Sequence, residues 1–194
     1  MRRDPQLGEL TDDAIAGPFR VFQRRRGHRY SLDDLVTAWE AARARPDARA
    51  YADLGCGLGA VLHMVAYRLA PDARLAAVEA QAQSVELLRR NLARNGLEAR
   101  VRLVFGDLRR ADLAEALGGG PFDLVTGTPP YLPPERASRS TDEQRTYARL
   151  EMRGGVEDYL AAAAPLLGPG GRFVVCCDAR RPERALGGGA AAGL

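Results

Sequence analysis

Five short apolar runs mark the middle of the chain: Ala50–Leu54, Leu75–Glu79, Val101–Phe105, Phe122–Gly127 and Arg172–Cys177. Their length suits strands, and their near-continuous hydrophobicity suits strands covered on both faces. Between them, apolar residues recur at helical spacing over Ala60–Leu69, Gln81–Asn95, Leu108–Leu117 and Val156–Leu167. Asn95-Gly96 and Gly168-Pro169-Gly170-Gly171 supply helix stops. Strand and helix in alternation predict an α/β fold, a mainly parallel, doubly wound sheet with right-handed crossovers and helices on both faces. Ligands of such sheets bind outside the carboxyl ends of the strands, where the strand order reverses.

The flanks are less regular. Residues 1–16 read as a poorly ordered lead-in or a loosely docked helix. Gly17 to Tyr30 predicts two short strands, Phe19–Gln23 and His28–Tyr30, around an Arg/Gly turn. Ser31 suits the N-cap of a helix through Arg43, with Asp33 and Asp34 in the first turn, where the helix dipole favours acids. Residues 1–46 are therefore expected as a lead-in that forms one compact unit with a ligand-binding domain over 47–194. After Pro182 the chain turns Ala/Gly-rich and stops at Leu194, partway through the next expected crossover. The expectation here is a truncated reading frame with C-terminal strands missing.

Composition narrows the class. At 194 residues, 46% hydrophobic and 27% charged, this is an ordinary globular domain with a substantial core. No apolar stretch approaches a membrane span, and no apolar segment follows the N-terminal Met1-Arg2-Arg3-Asp4-Pro5, which argues against a secretory leader. Cys56, Cys176 and Cys177 lack metal-ligand spacing, and His28 and His63 are the only histidines. Reduced thiols in a cytoplasmic protein without a metal are expected. Net charge is +3, but all 28 basic residues are arginine, a pattern of GC-rich coding rather than of phosphate binding. Locally, Arg20, Arg24, Arg25, Arg26 and Arg29 cluster beside Phe19, Phe22 and Tyr30. That run suits either a nucleic-acid backbone or a solvated turn between strands.

The chemistry sits at the strand ends. Asp53-Leu54-Gly55-Cys56-Gly57-Leu58-Gly59 occupies the first strand-to-helix turn, where glycines allow a ligand close approach and the helix offers unpaired N–H groups. Gly55-x-Gly57-x-x-Ala60 also satisfies the dinucleotide spacing, so the glycines do not separate ligand classes. Asp53 does. An acid just before the first glycine would repel a pyrophosphate but suits the ammonium of S-adenosylmethionine. Glu79, ending the second strand, can accept from both ribose hydroxyls. Asp107, after the third, can accept the adenine amino proton or cap the following helix.

The fourth strand runs into Thr128-Pro129-Pro130-Tyr131. Two prolines remove two donors, so this turn presents carbonyl oxygens, and Tyr131 offers a face for stacking. Such a pocket holds a flat amino group by accepting from both of its N–H bonds, which makes the conjugated nitrogen more pyramidal and electron-rich. Catalysis there would be orientation within a preorganised polar site.

With these elements placed, the chain resembles a class I S-adenosylmethionine-dependent methyltransferase of the amino-methylating kind. More narrowly it is similar to the bacterial adenine-N6 methyltransferases of valine tRNA, through Arg29-Tyr30-Ser31-Leu32-Asp33, the Asp53–Gly59 turn and Ala148-Arg149-Leu150-Glu151. The resemblance covers roughly residues 17–178. It implies a Rossmann-like sheet of order 3-2-1-4-5, S-adenosylmethionine as cofactor and tRNA or other RNA as partner. Carried over by position, Asp53, Gly55, Gly57, Gly59, Glu79 and Asp107 would bind the cofactor, and Thr128, Pro129, Pro130 and Tyr131 would form the catalytic pocket. Asp33 would either close the methionine end or serve only as a helix-N-terminal acid.

One departure matters. Where the family usually has an asparagine amide, Thr128 offers a hydroxyl that accepts but also donates, and reaches less far. Two other functions therefore compete with RNA methylation. One is methylation of a protein glutamine amide, as in release-factor modifying enzymes; the other is a cofactor-binding module with weak or no catalysis.

Overall fold

The computed structural model describes residues 2–4, 6–136 and 140–194, the side chains of Arg2, Arg3 and Arg136 excepted. In chain order, β1 (Arg2–Asp4), β2 (Gly8–Ala16) and β3 (Phe19–Arg24) precede α1 (Leu32–Ala44). Then come β4 (Ala50–Leu54), α2 (Ala60–Arg68), β5 (Arg74–Glu79), α3 (Ala82–Asn95) and β6 (Val101–Phe105). The rest comprises α4 (Leu113–Ala116), β7 (Phe122–Gly127), α5 (Glu143–Arg149), α6 (Val156–Ala163), β8 (Leu167–Val175) and α7 (Pro182–Ala192).

Strands β4 to β8 form one sheet in the order β6-β5-β4-β7-β8, parallel at every pairing. The order reverses between β4 and β7, so the turns after those two strands open side by side. Both faces are covered, as the apolar runs require. Tyr51 and Leu75 pack with Leu62, Val65, Leu87 and Leu88 on one face. Leu54, Val78 and Val125 pack with Leu113, Tyr159 and Leu166 on the other.

Several boundaries differ from the sequence pattern. Residues 8–16 are neither coil nor helix but the middle strand of a three-stranded antiparallel sheet (Met1 and Pro5 lie outside the described residues). The acids that hid this strand hold it in place: Asp12 pairs with Arg20, Asp13 with Arg29 and Glu9 with Arg25. Residues 28–30 form no strand, because β2 is the partner of β3. The other edge of β3 is bound by α3. Asn91 accepts from the Phe22 amide and donates to the Phe22 carbonyl, and Asn95 does the same for Arg20. Two amide side chains thus complete an edge strand's hydrogen bonding and dock the small sheet on the large one.

The helix expected over 108–117 is reduced to α4, since Asp107 bonds the Arg109 amide and guanidinium and turns the chain there. β8 starts at Leu167 and ends at Val175, with Gly168–Gly171 bulged out between the Phe122↔Leu167 and Leu124↔Arg172 pairings. The Ala/Gly-rich tail forms α7, held to α6 by Arg184 between Glu151 and Glu157. α5 went unpredicted. Its N-cap Asp142 accepts from the Arg145 amide, and Gln144, buried, donates to Ser84 and accepts from Arg24 and from the His28 amide. These bonds lay the segment after Tyr131 back across the small sheet.

Candidate active site

The turn after β4 is set by glycines in the left-handed region, with φ of 60° at Gly55, 56° at Gly57 and 89° at Gly59. Gly57 faces open space, while Gly59 lies against Leu88 and His63. From β5, Glu79 reaches across: one carboxylate oxygen accepts from the Gly57 amide at 2.8 Å, the other from the Gln81 amide at 2.7 Å. Glu79 therefore fastens the glycine turn to the neighbouring strand, and each oxygen keeps a lone pair for a ligand hydroxyl. Burial pushes its carboxyl above the usual range, against the pull of those amides.

Around this turn lies a cavity lined by Gly55, Gly57, Glu79 and Asp107, with Tyr159 among its other walls. Its lining also includes Tyr147, Ala148 and Arg153, the Arg153 guanidinium stacked 4.1 Å over the Tyr147 ring. At about 100 Å³ of closed space the cavity is smaller than the ~300–1,000 Å³ typical of ligand pockets. The donor set fits such a ligand: a buried carboxylate for vicinal hydroxyls, a second acid further out, and close backbone approach at Gly57. Asp107 is occupied, however, since Arg109 bridges both its oxygens, so an adenine amino group must share that carboxylate.

A second cavity, about 460 Å³, is lined by Asp33, Pro129, Pro130, Tyr131, Arg149 and Cys176, among others. The two cavities share His28, Asp34, Thr128, Pro130 and Ala148. Tyr131 is held from two sides: its hydroxyl donates to Asp33 at 3.1 Å, and its carbonyl accepts from Arg181 at 3.0 Å. Asp33 thus positions the aromatic ring's outer end, and it does not line the first cavity.

Asp53 lines neither cavity. It lies beneath the turn, 2% exposed, with one oxygen accepting from Thr126 at 2.7 Å and Thr126 sharing a further 2.7 Å bond with Tyr51. The other oxygen is buried without a hydrogen-bond partner. The carboxylate thus stands behind the cavity wall, with one unpartnered oxygen, rather than among the residues that line it. Burial raises its carboxyl to about 7, against the pull of Thr126.

That shift has a sign. Below about pH 4 the carboxyl is protonated in both folded and unfolded chains. Between about 4 and 7 the unfolded chain ionises while the folded one keeps its proton, so stability falls as pH rises through that window. The fall from this group is on the order of 4 kcal/mol at most. Asp53→Asn should therefore lose less stability than the parent between about pH 5 and pH 8 in urea titrations, and parallel losses would show that Asp53 is not the source.

Of the arginine cluster, Arg20, Arg24, Arg25 and Arg29 are paired with Asp12, Asp142, Glu9 and Asp13. The acids come from β2 and from the start of α5, far enough away in sequence that the cluster looked uncompensated. Tyr159 and Arg153 reach the site from segments with no signature of their own, whereas Thr126 and His28 stand beside recognised motifs and are brought to the site only by the fold.

These features define a class. A parallel sheet opening at its switch point, a glycine turn clasped by a strand-end acid, and a proline-proline-tyrosine turn facing it are the marks of a Rossmann-like methyltransferase fold. The chain belongs to the methyltransferase small domain family, which matches residues 35–185. Curated relatives include a release factor glutamine methyltransferase of Chlorobaculum tepidum, 38% identical over 68% of this chain and 46% of its own length. A tRNA1(Val) (adenine(37)-N6)-methyltransferase of Porphyromonas gingivalis is 30% identical over 73% of this chain and 54% of its own. This chain thus spans about half the length of the curated relatives it matches. Among solved structures, TrmN from Thermus thermophilus shares the fold with a TM-score of 0.58 at 21% identity, over 82% of this chain and 42% of that one.

Proposed function

We propose that this chain is the catalytic domain of an S-adenosylmethionine-dependent N-methyltransferase whose acceptor is a planar amino nitrogen, adenine N6 of tRNA or another RNA before other acceptors. The observation that carries this reading is the meeting of two cavities at Thr128, one walled by the glycine turn with Glu79 and Asp107, the other by Pro129, Pro130 and Tyr131. S-adenosylmethionine, when bound, supplies an electrophilic methyl group. Glu79, with its remaining lone pairs, holds the ribose, and Gly57 admits the ligand close to the backbone. The prolines present only acceptors, Thr128 accepts from one N–H of the target, and Tyr131, clamped by Asp33, gives the base a face to stack on.

The 460 Å³ cavity beside Tyr131 has room for a purine, and also for a glutamine side chain with its flanking backbone. Curated relatives name both acceptors, tRNA adenine and release-factor glutamine, and the stacking face of Tyr131 is what puts adenine first here. Protein glutamine is the second reading, favoured by the internal pairing of the arginines that would otherwise have met a phosphate backbone.

Calorimetry with S-adenosylmethionine, followed by labelled-methyl transfer to unmodified tRNA and to a glutamine-bearing peptide, tests the proposal. Binding with transfer to tRNA is expected; binding without any transfer would leave only a cofactor-binding module. Thr128→Asn should keep or raise turnover, since an amide oxygen is the better acceptor. A loss beyond about tenfold, or about 1.4 kcal/mol in the barrier, would assign residue 128 another task.

A further inference from the structure

The transfer proposed above releases a proton from the target nitrogen, and a group at the meeting of the two cavities is placed to take it. Three groups with acid-base or hydroxyl chemistry line both cavities: His28, Asp34 and Thr128. One oxygen of Asp34 accepts from the Ser31 amide at 2.8 Å and the Ser31 hydroxyl at 3.3 Å and so caps α1, which ties this carboxylate to the helix start. Asp33, in the second cavity, receives the Tyr131 hydroxyl. Thr128 is too weak a base to keep a proton. His28 is different. Its backbone amide is anchored to Gln144, itself buried and bonded to Ser84, yet no hydrogen bond among the described residues involves its ring.

Resting on the methyltransferase reading, we infer that His28 is a catalytic residue of this site, the base that takes the proton released by the methylated nitrogen. As the nitrogen lone pair forms the new N–C bond, the C–S bond breaks and its electron pair stays on sulfur. As that bond forms, one N–H proton of the increasingly acidic nitrogen passes to a ring nitrogen of His28, which releases it to solvent. The imidazole also supplies the second good acceptor that a hydroxyl at 128, in place of an amide, lacks.

The surroundings keep the imidazole neutral and able to accept. Burial lowers its pKa below the usual 6.5; Arg145 and Arg149 of α5 act in the same direction, and Asp34 of α1 and Asp142 beside α5 oppose them. Activity should therefore fall as pH drops through a value below 6.5, as the ring becomes cationic and can no longer accept.

The test uses His28→Gln and His28→Ala with Asp34→Asn as control. Expected are a fall in kcat of about 100-fold for both His28 variants, little change in S-adenosylmethionine affinity by calorimetry, and loss of the acid limb of the kcat–pH profile. Added imidazole should restore part of the His28→Ala turnover. Asp34→Asn should keep the limb but move it to lower pH, since the carboxylate that opposes the downward shift of His28 is gone. In NMR titration His28 should titrate at the pH of that limb, and it is readily told from His63, whose ring is enclosed between the Gly59 and Asn91 carbonyls. Unchanged kcat, or a limb that persists in His28→Gln and vanishes in Asp34→Asn, would overturn the inference. Absence of transfer by the unsubstituted chain would instead overturn the underlying reading, and the inference with it. Should His28→Ala unfold by circular dichroism, His28→Gln and the NMR titration still decide.

Discussion

Gly55→Ala is expected to abolish measurable S-adenosylmethionine binding and to destabilise the fold by about 2–5 kcal/mol. Two costs combine. At φ 60° an alanine sits in the left-handed region, which costs about 1–2 kcal/mol. The added methyl would also fall on the Tyr159 hydroxyl, which α6 holds against the turn. Tyr159 is buried among the core side chains of that face, so it has nowhere to retreat and the turn itself must shift. Urea unfolding separates the two contributions. Removing the hydroxyl in a Gly55→Ala/Tyr159→Phe double variant should recover part of the loss, because the overlap is relieved while the backbone strain persists. If the second substitution restores nothing, the close approach of Tyr159 is not what fixes the turn.

Glu79→Gln should weaken S-adenosylmethionine binding by about 10- to 100-fold, the range of one or two charge-assisted hydrogen bonds. The carboxylate accepts from Gly57 and Gln81 through different oxygens, so a glutamine satisfies one amide and turns an NH₂ group toward the other. The change therefore disturbs the turn before any ligand arrives. Hydrogen exchange at the Gly57 amide should quicken in the variant without cofactor, and calorimetry should show the weaker binding. Retained affinity together with retained protection would mean that Glu79 is a bystander.

Both results would locate cofactor recognition in the glycine turn and in the two side chains that fix it, Tyr159 from α6 and Glu79 from the neighbouring strand. The same logic connects the acceptor side. Tyr131 is fixed by Asp33 of α1 and by Arg181, and α5 is laid over the small sheet by Gln144 and Arg24. Tyr147 and Ala148, which line the first cavity, are therefore carried by a helix tied to the N-terminal sheet through Gln144.

Much of this was legible in the linear order of residues. The apolar runs of β4, β5, β6 and β7 are each bounded within about a residue of their pattern, because buried strands need continuous hydrophobicity and the turns between them need glycine. The glycine turn, Glu79 and the Thr128–Tyr131 segment all stand at strand ends for the same reason. What stayed hidden depends on partners far apart along the chain. β2 reads as coil because Asp12 and Asp13 break its apolar pattern, and only pairing with Arg20 and Arg29 makes those acids stabilising. The arginine cluster looked like a free basic surface until the same folding step consumed most of its charge. Asp53 sits at the expected position, but the direction of its side chain, beneath the turn and against Thr126, follows from which face of β4 it occupies in the folded sheet. The sequence alone determined the sheet, its chemistry-bearing turns and the family. Tertiary structure decided which charges remain free, which acids are committed elsewhere, and that His28 stands where the two cavities meet, because each of those outcomes requires segments that touch only once the chain has folded.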